Sequence, residues 1–78
     1  MTEFVEYIAK SLVSNKEAVN VSSSKDADGT LVVKLVVASE DLGKVIGKQG
    51  KIANAIRTMA RAISRREGEN RVVVKIDG

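Results

Sequence analysis

Two glycines three apart, Gly47 and Gly50, constrain this chain more than anything else in it. They sit in the stretch Val45-Ile46-Gly47-Lys48-Gln49-Gly50-Lys51-Ile52, with aliphatic residues on both sides and only a lysine and a glutamine between them. That pattern describes a tight turn joining two helices. Gly47 can end the first helix in the left-handed conformation that residues with a Cβ avoid, and Gly50 can open the second with its amide groups uncovered. The turn is then bare of bulk where helix-terminal N–H groups and a lysine ammonium can face an anion.

At 78 residues the chain makes one small domain, residues 1–78, whose core must be compact or shared with a partner. Hydrophobic residues form 44% of it, which places it outside the disordered class. It holds no cysteine and no histidine, so disulfides, thiol chemistry, the usual zinc ligands and the usual general base are all missing. A non-catalytic protein without metal, cofactor or small-molecule substrate is expected. No apolar run approaches the roughly 20 residues that span a bilayer, and the opening residues carry Glu3 and Glu6 where a signal peptide is basic. A cytoplasmic protein, not a membrane one, is the expectation.

Taken in order, Thr2 can cap a first helix in which Phe4, Val5, Ile8, Ala9, Leu12 and Val13 form one apolar stripe through about Ser14. Val19 and Val21 alternate with Asn20 and Ser22, as in a short strand. A turn-rich segment from Ser23 to Gly29 leads to Thr30–Ala38, almost continuously aliphatic, which predicts a strand at a sheet centre, paired with the first in an antiparallel hairpin. Ser39 can cap a short helix to about Ile46. Gly43 inside that helix costs about 1 kcal/mol relative to alanine, so either another backbone or a ligand comes close to it. From Gly50 a longer helix carries a core stripe of Ile52, Ile56, Met59, Ala60 and Ile63, and Gly68 ends it. Arg71–Ile76 is a last strand, parallel to the strand at 30–38 if the two are adjacent. The order helix, strand, strand, helix, helix, strand gives an α+β domain with a three-stranded mixed sheet and helices packed on one face.

Charge is unevenly spread. Lys44, Lys48, Lys51, Arg57, Arg61, Arg65 and Arg66 lie between Gly43 and Arg66 with no acid among them, whereas the rest of the chain is net acidic. A polyanion finds one segment attractive and the remainder indifferent. Nucleotide-binding loops are excluded by spacing and context. A Walker-type loop needs four residues between its glycines and follows a strand, and the first Gly-x-Gly pair of a dinucleotide fingerprint is absent. A helix-turn-helix element remains, either of the DNA-binding kind or a glycine-loop clamp on single-stranded nucleic acid.

The run Gly43-Lys44-Val45-Ile46-Gly47-Lys48-Gln49-Gly50-Lys51-Ile52, set between a strand and a second helix, resembles the hallmark of a K-homology (KH) RNA-binding domain. The helix and strand that precede it resemble the type II, prokaryotic arrangement. The whole chain is similar to the small bacterial KhpA (YlqC-type) family. This resemblance implies a narrow groove for about four nucleotides of single-stranded RNA, with the Gly-x-x-Gly loop at 47–50 against the sugar-phosphate backbone.

Carried onto this sequence, it assigns close backbone approach to Gly47 and Gly50 and loop-tip contacts to Lys48 and Gln49. Gly43 becomes a small residue facing the ligand, Lys44 and Lys51 flank the loop, Ile46 forms groove floor or core, and Asn54 and Arg57 follow on the second helix. With Phe4 and Tyr7 the only aromatic residues, base stacking cannot be the main source of affinity. The implied function is RNA binding, in post-transcriptional regulation or as an RNA chaperone. The alternative is a protein-interaction module that forms a homodimer, or a heterodimer with a larger KH-domain protein. The line Arg57, Arg61, Arg65 either extends the RNA path or is solvated.

Overall fold

The computed structural model describes residues 1–78. Helix α1 (Thr2–Leu12) is followed by a 3₁₀ turn at Lys16–Ala18, strand β1 (Asn20–Lys25) and strand β2 (Leu31–Val36). A second 3₁₀ turn at Ser39–Asp41 leads into the short helix α2 (Leu42–Ile46). The glycine turn then opens helix α3 (Lys51–Arg66), and strand β3 (Val72–Asp77) closes the fold. The sheet order is β1-β2-β3, antiparallel between the first two and parallel between the last two. This is the α+β mixed sheet that the sequence predicts, with the aliphatic β2 at its centre.

One face of the sheet carries the core. Val33 and Leu35 of β2 are fully buried, and Val33 pairs in register with Val74 of β3. Val5 and Ala9 of α1, Val45 of α2, and Ile56 and Ala60 of α3 complete this cluster from above. Each such aliphatic side chain contributes about 1.5–3 kcal/mol when taken fully out of water, against the entropy of ordering so short a chain. The opposite face is open: Lys34 pairs with Lys75 in register, both exposed, and Val73 is 44% exposed.

Several boundaries differ from the sequence reading. Met1, not Thr2, occupies the N-cap position of α1, with no side-chain cap, and the helix ends at Leu12, where Val13 turns extended to bury its side chain. β1 runs on through Ser22, Ser23 and Ser24, because an edge strand needs only its pairing with Val32–Lys34 and not an apolar face. Ser39 makes no capping bond and starts a separate 3₁₀ turn, so the expected single helix from Ser39 to Ile46 is split at Asp41. On α3 the fully buried positions are Ala53, Ile56, Ala60 and Ser64, while Met59, expected in the core, is 42% exposed. Ser64 is tolerated inside because its Oγ donates to the Arg61 carbonyl at 3.0 Å.

Candidate nucleic-acid interface

α2 passes into α3 through Gly47 and a single 3₁₀ turn, Lys48–Gly50. The Gly47 N–H donates to the Gly43 carbonyl at 2.9 Å and closes the last turn of α2. Gly47 itself has φ 76° and ψ 174°, an extended conformation at positive φ that is essentially reserved for glycine, not the left-handed cap expected from the sequence. The extended ψ redirects the chain at once, where a left-handed residue would prolong the turn. The left-handed residue is Gly50, at φ 75° and ψ 13°.

The two glycines are required for different reasons. A Cβ at position 47 would lie 2.6 Å from Ile52 Cγ1 and 2.9 Å from Ile52 Cβ, whereas one at position 50 would meet nothing nearer than Asn54 Nδ2 at 4.0 Å. Between them Gln49 adopts φ 58°, and it is the one residue other than glycine with positive φ. Holding a side chain there costs on the order of 1–2 kcal/mol. Lys48 and Gln49 are both exposed, and neither side chain has a hydrogen-bond or ion-pair partner. The loop is thus a strained, uncluttered tip at the start of a 16-residue helix with no acid in its first turn.

The other sequence-predicted residues divide around this tip. Gly43 lies on the exposed side of α2 and a Cβ there would meet no atom within 4 Å, so no backbone of the protein itself approaches it. Ile46 is half-buried and stands outside the hydrophobic core, while Ile52 packs against that core. Lys51 is exposed and unpaired. Lys44 is committed elsewhere: its ammonium lies 3.1 Å from the Asp41 carboxylate and donates to Ser14 Oγ.

Asp41, which no sequence motif singles out, is a fully buried carboxylate. It accepts the Asn15 N–H at 3.0 Å and the Ser14 N–H at 3.2 Å, tying the end of α1 to the start of α2. The Asn15 hydrogen bond, then that of Ser14, and to a lesser degree Lys44, hold its carboxyl below the ordinary range against the opposing effect of burial.

A groove lies between α3 and β3. Arg57 crosses it, half-buried, with Nε donating to the Val74 carbonyl at 3.4 Å and a guanidinium nitrogen donating to Asn54 Oδ1 at 3.4 Å. Beside it a cavity of about 220 Å³ is bounded by Arg57, Arg61 and Val72–Val74. β3 is an edge strand, so half of its backbone groups face this groove and not β2. The contribution of β3 is invisible in residue types, since a main chain has no sequence signal beyond its strand propensity.

Charge pairing sharpens the picture. Outside the basic segment, Lys25 is paired with Glu69 at 2.8 Å and Lys10 with Glu6 at 3.8 Å. Within it, only Lys44 has a carboxylate within ion-pair distance, leaving Lys48, Lys51, Arg57, Arg61, Arg65 and Arg66 uncompensated.

The family model described as "KhpA/KhpB, KH domain" matches residues 2–76. Over 76 residues the chain is 49% identical to the RNA-binding protein KhpA of Caldanaerobacter subterraneus subsp. tengcongensis, covering 97% of this chain and 99% of the relative. It is 47% identical over the same length to the protein of that name from Aquifex aeolicus, covering 97% and 94%. With the Treponema pallidum protein of that name it shares 48% identity over 60 residues, 77% of this chain and 74% of the relative. No solved structure matches.

Proposed function

The chain belongs to the KhpA/KhpB family of KH domains, and from that premise we propose that it is a non-catalytic bacterial RNA-binding protein whose Gly47–Gly50 loop clamps short single-stranded RNA. The observation that carries the reading is the loop itself. Its backbone is held open by two glycines, its two tip side chains are unengaged, and it opens the helix that walls the groove, whose basic residues lack acidic partners. A sugar-phosphate backbone laid over Gly47 and Gly50 meets amides, the Lys48 ammonium and the Gln49 amide, with Gly43 leaving room on the α2 side. Bases then lie toward Ile46, Arg57 and the edge of β3, where aliphatic packing and a few hydrogen bonds replace stacking.

With about 3–4 phosphates neutralised, log affinity falls against log salt with a slope of roughly −2 to −3. A single weak site of this kind suits transient contact with many RNAs, as in post-transcriptional regulation or RNA chaperoning.

The decisive variant is Lys48→Asp with Gln49→Asp. It removes one positive charge and adds two negative ones at exposed positions, so binding of short single-stranded RNA falls more than about tenfold while circular dichroism and melting stay at wild-type values. Unchanged RNA affinity in the folded double variant would overturn the clamp.

One observation favours a second role alongside the first. Ala55, Met59 and Ala62 form an exposed apolar strip along α3, outside both the core and the groove. This strip suits self-association, or pairing with a larger KH-containing protein.

A further inference from the structure

Past Arg57 the groove does not end. Its cavity shares Arg61, Val72 and Val73 with a larger one of about 300 Å³ at the far end of α3. Arg61 and Arg65 form the helix wall of this cleft, Asn70 and Arg71 form the opposite wall, and Ser64 and Thr30 lie beneath. Arg61 and Arg65 stand 11 and 15 residues beyond Gly50, about 16–22 Å along the helix axis, too far for a nucleotide seated on the loop to touch.

The cleft is built for an anion. Arg61 and Arg65 have no carboxylate partner, and no acid lines the cavity. Acids on the adjoining segments are otherwise engaged or loosely placed, Glu67 lying 3.9 Å from the Met1 ammonium. Glu69 is held by Lys25 at 2.8 Å, and Asp28 meets Arg71 only at 3.8 Å, with both side chains more than half exposed. The floor is firm, since Ser64 is buried and bonded to the Arg61 carbonyl. A merely solvated helix face would account for the arginines, but not for a concavity continuous with the groove and closed by a third arginine from the other wall.

We propose that this arginine cleft is a second phosphate subsite, which takes the backbone of the same RNA strand beyond the roughly four nucleotides held at the loop. The inference rests on the clamp reading above and extends it: the loop sets where the strand enters, and the cleft rewards strands long enough to reach it. The ligand chemistry is a phosphate flanked by a ribose, which a free mononucleotide also offers.

The test uses fluorescence anisotropy with labelled random-sequence RNA four-mers and eight-mers, on wild type and on Arg65→Gln with Arg71→Gln, the two arginines that line the cleft and not the cavity beside Arg57. An eight-mer gives a four-nucleotide clamp five registers, so length alone contributes up to about fivefold. The variant, not the length effect, therefore decides. Loss of two phosphate contacts lowers eight-mer affinity about tenfold and reduces the salt slope by about 1.4, while four-mer affinity stays within about twofold. Each single substitution, one on either wall, gives the same pattern with a smaller loss. Both positions are exposed, and an unchanged melting temperature verifies each fold.

Equal losses on both lengths, or none on either, overturn the subsite while leaving the clamp standing. A wild type that binds neither RNA removes the clamp and the subsite with it. Binding of AMP that depends on Arg65 and Arg71, with no length-dependent loss of RNA, assigns the cleft to a free nucleotide and overturns the proposal.

Discussion

At Gly47 two constraints coincide, and their sum can be measured. Any side chain there must adopt a positive φ, which costs about 1–2 kcal/mol, and must also push Ile52 away from a Cβ contact of 2.6 Å, which adds roughly 1–3 kcal/mol of overpacking. At Gly50 only the first term applies, because the space beside it is open. Gly47→Ala is therefore expected to destabilise the fold by about 2–5 kcal/mol and Gly50→Ala by about 1–2 kcal/mol. Urea unfolding of the two variants measures the difference, and equal losses would refute the separate role given to Ile52. The need for a glycine at 47 is legible from the spacing of the motif. Its extended ψ is not, because that depends on where Ile52 sits once α3 has packed. Gln49 makes the same point in reverse, since a residue with a Cβ occupies a glycine-like φ that no feature of its neighbours announces.

α2 is the element where stability and binding part company. Gly43 stands in the interior of a five-residue helix, at an exposed position with ample room for a methyl group. For folding alone alanine is the better residue, so Gly43→Ala is expected to raise stability by about 0.5–1 kcal/mol. If the strand crosses α2 as proposed, the same methyl group meets RNA and affinity falls severalfold. Thermal melting and an RNA titration on one preparation test both halves. A variant that is more stable and binds as well as wild type would remove Gly43 from the interface.

Legibility of the elements follows the physics of each. β2 is readable because it is aliphatic at every position but Lys34, and β3 because Val72, Val74 and Ile76 alternate with outward residues. β1 is readable only at its start, since its serines are held by the ladder and not by burial. Helical periodicity locates α3, but the choice of Met59 over Ala53 and Ser64 as core residues fails. Periodicity favours large apolar side chains, whereas the face of α3 that turns to the core carries small residues, Ala53, Ala60 and Ser64, beside Ile56. Asp41 escapes notice because its partners, Ser14 and Asn15, are distant in sequence.

At the scale of the molecule, a domain of 33 × 21 × 18 Å has little surface to divide among roles, and α3 divides it. Successive residues advance about 100° around a helix, which sorts its side chains into three sectors. Ala53, Ile56, Ala60 and Ser64 face the core; Arg57, Arg61 and Arg65 face the groove and cleft; Ala55, Met59 and Ala62 form the third sector, in water. The segregation of charge legible in the sequence thus becomes a division of faces only when the helix is placed. The groove and the apolar strip do not overlap, so a second copy seated on Met59 leaves the clamp free. Met59→Asp puts a charge in the middle of the strip without touching core or groove. If the strip joins two copies, light scattering at micromolar concentration gives the mass of a dimer for wild type and of a monomer for the variant, while affinity for an RNA four-mer is unchanged. A wild type that remains monomeric at those concentrations rules out self-association through this face. A variant that turns monomeric and loses four-mer binding as well would mean that the two faces are coupled, contrary to the separation that α3 builds.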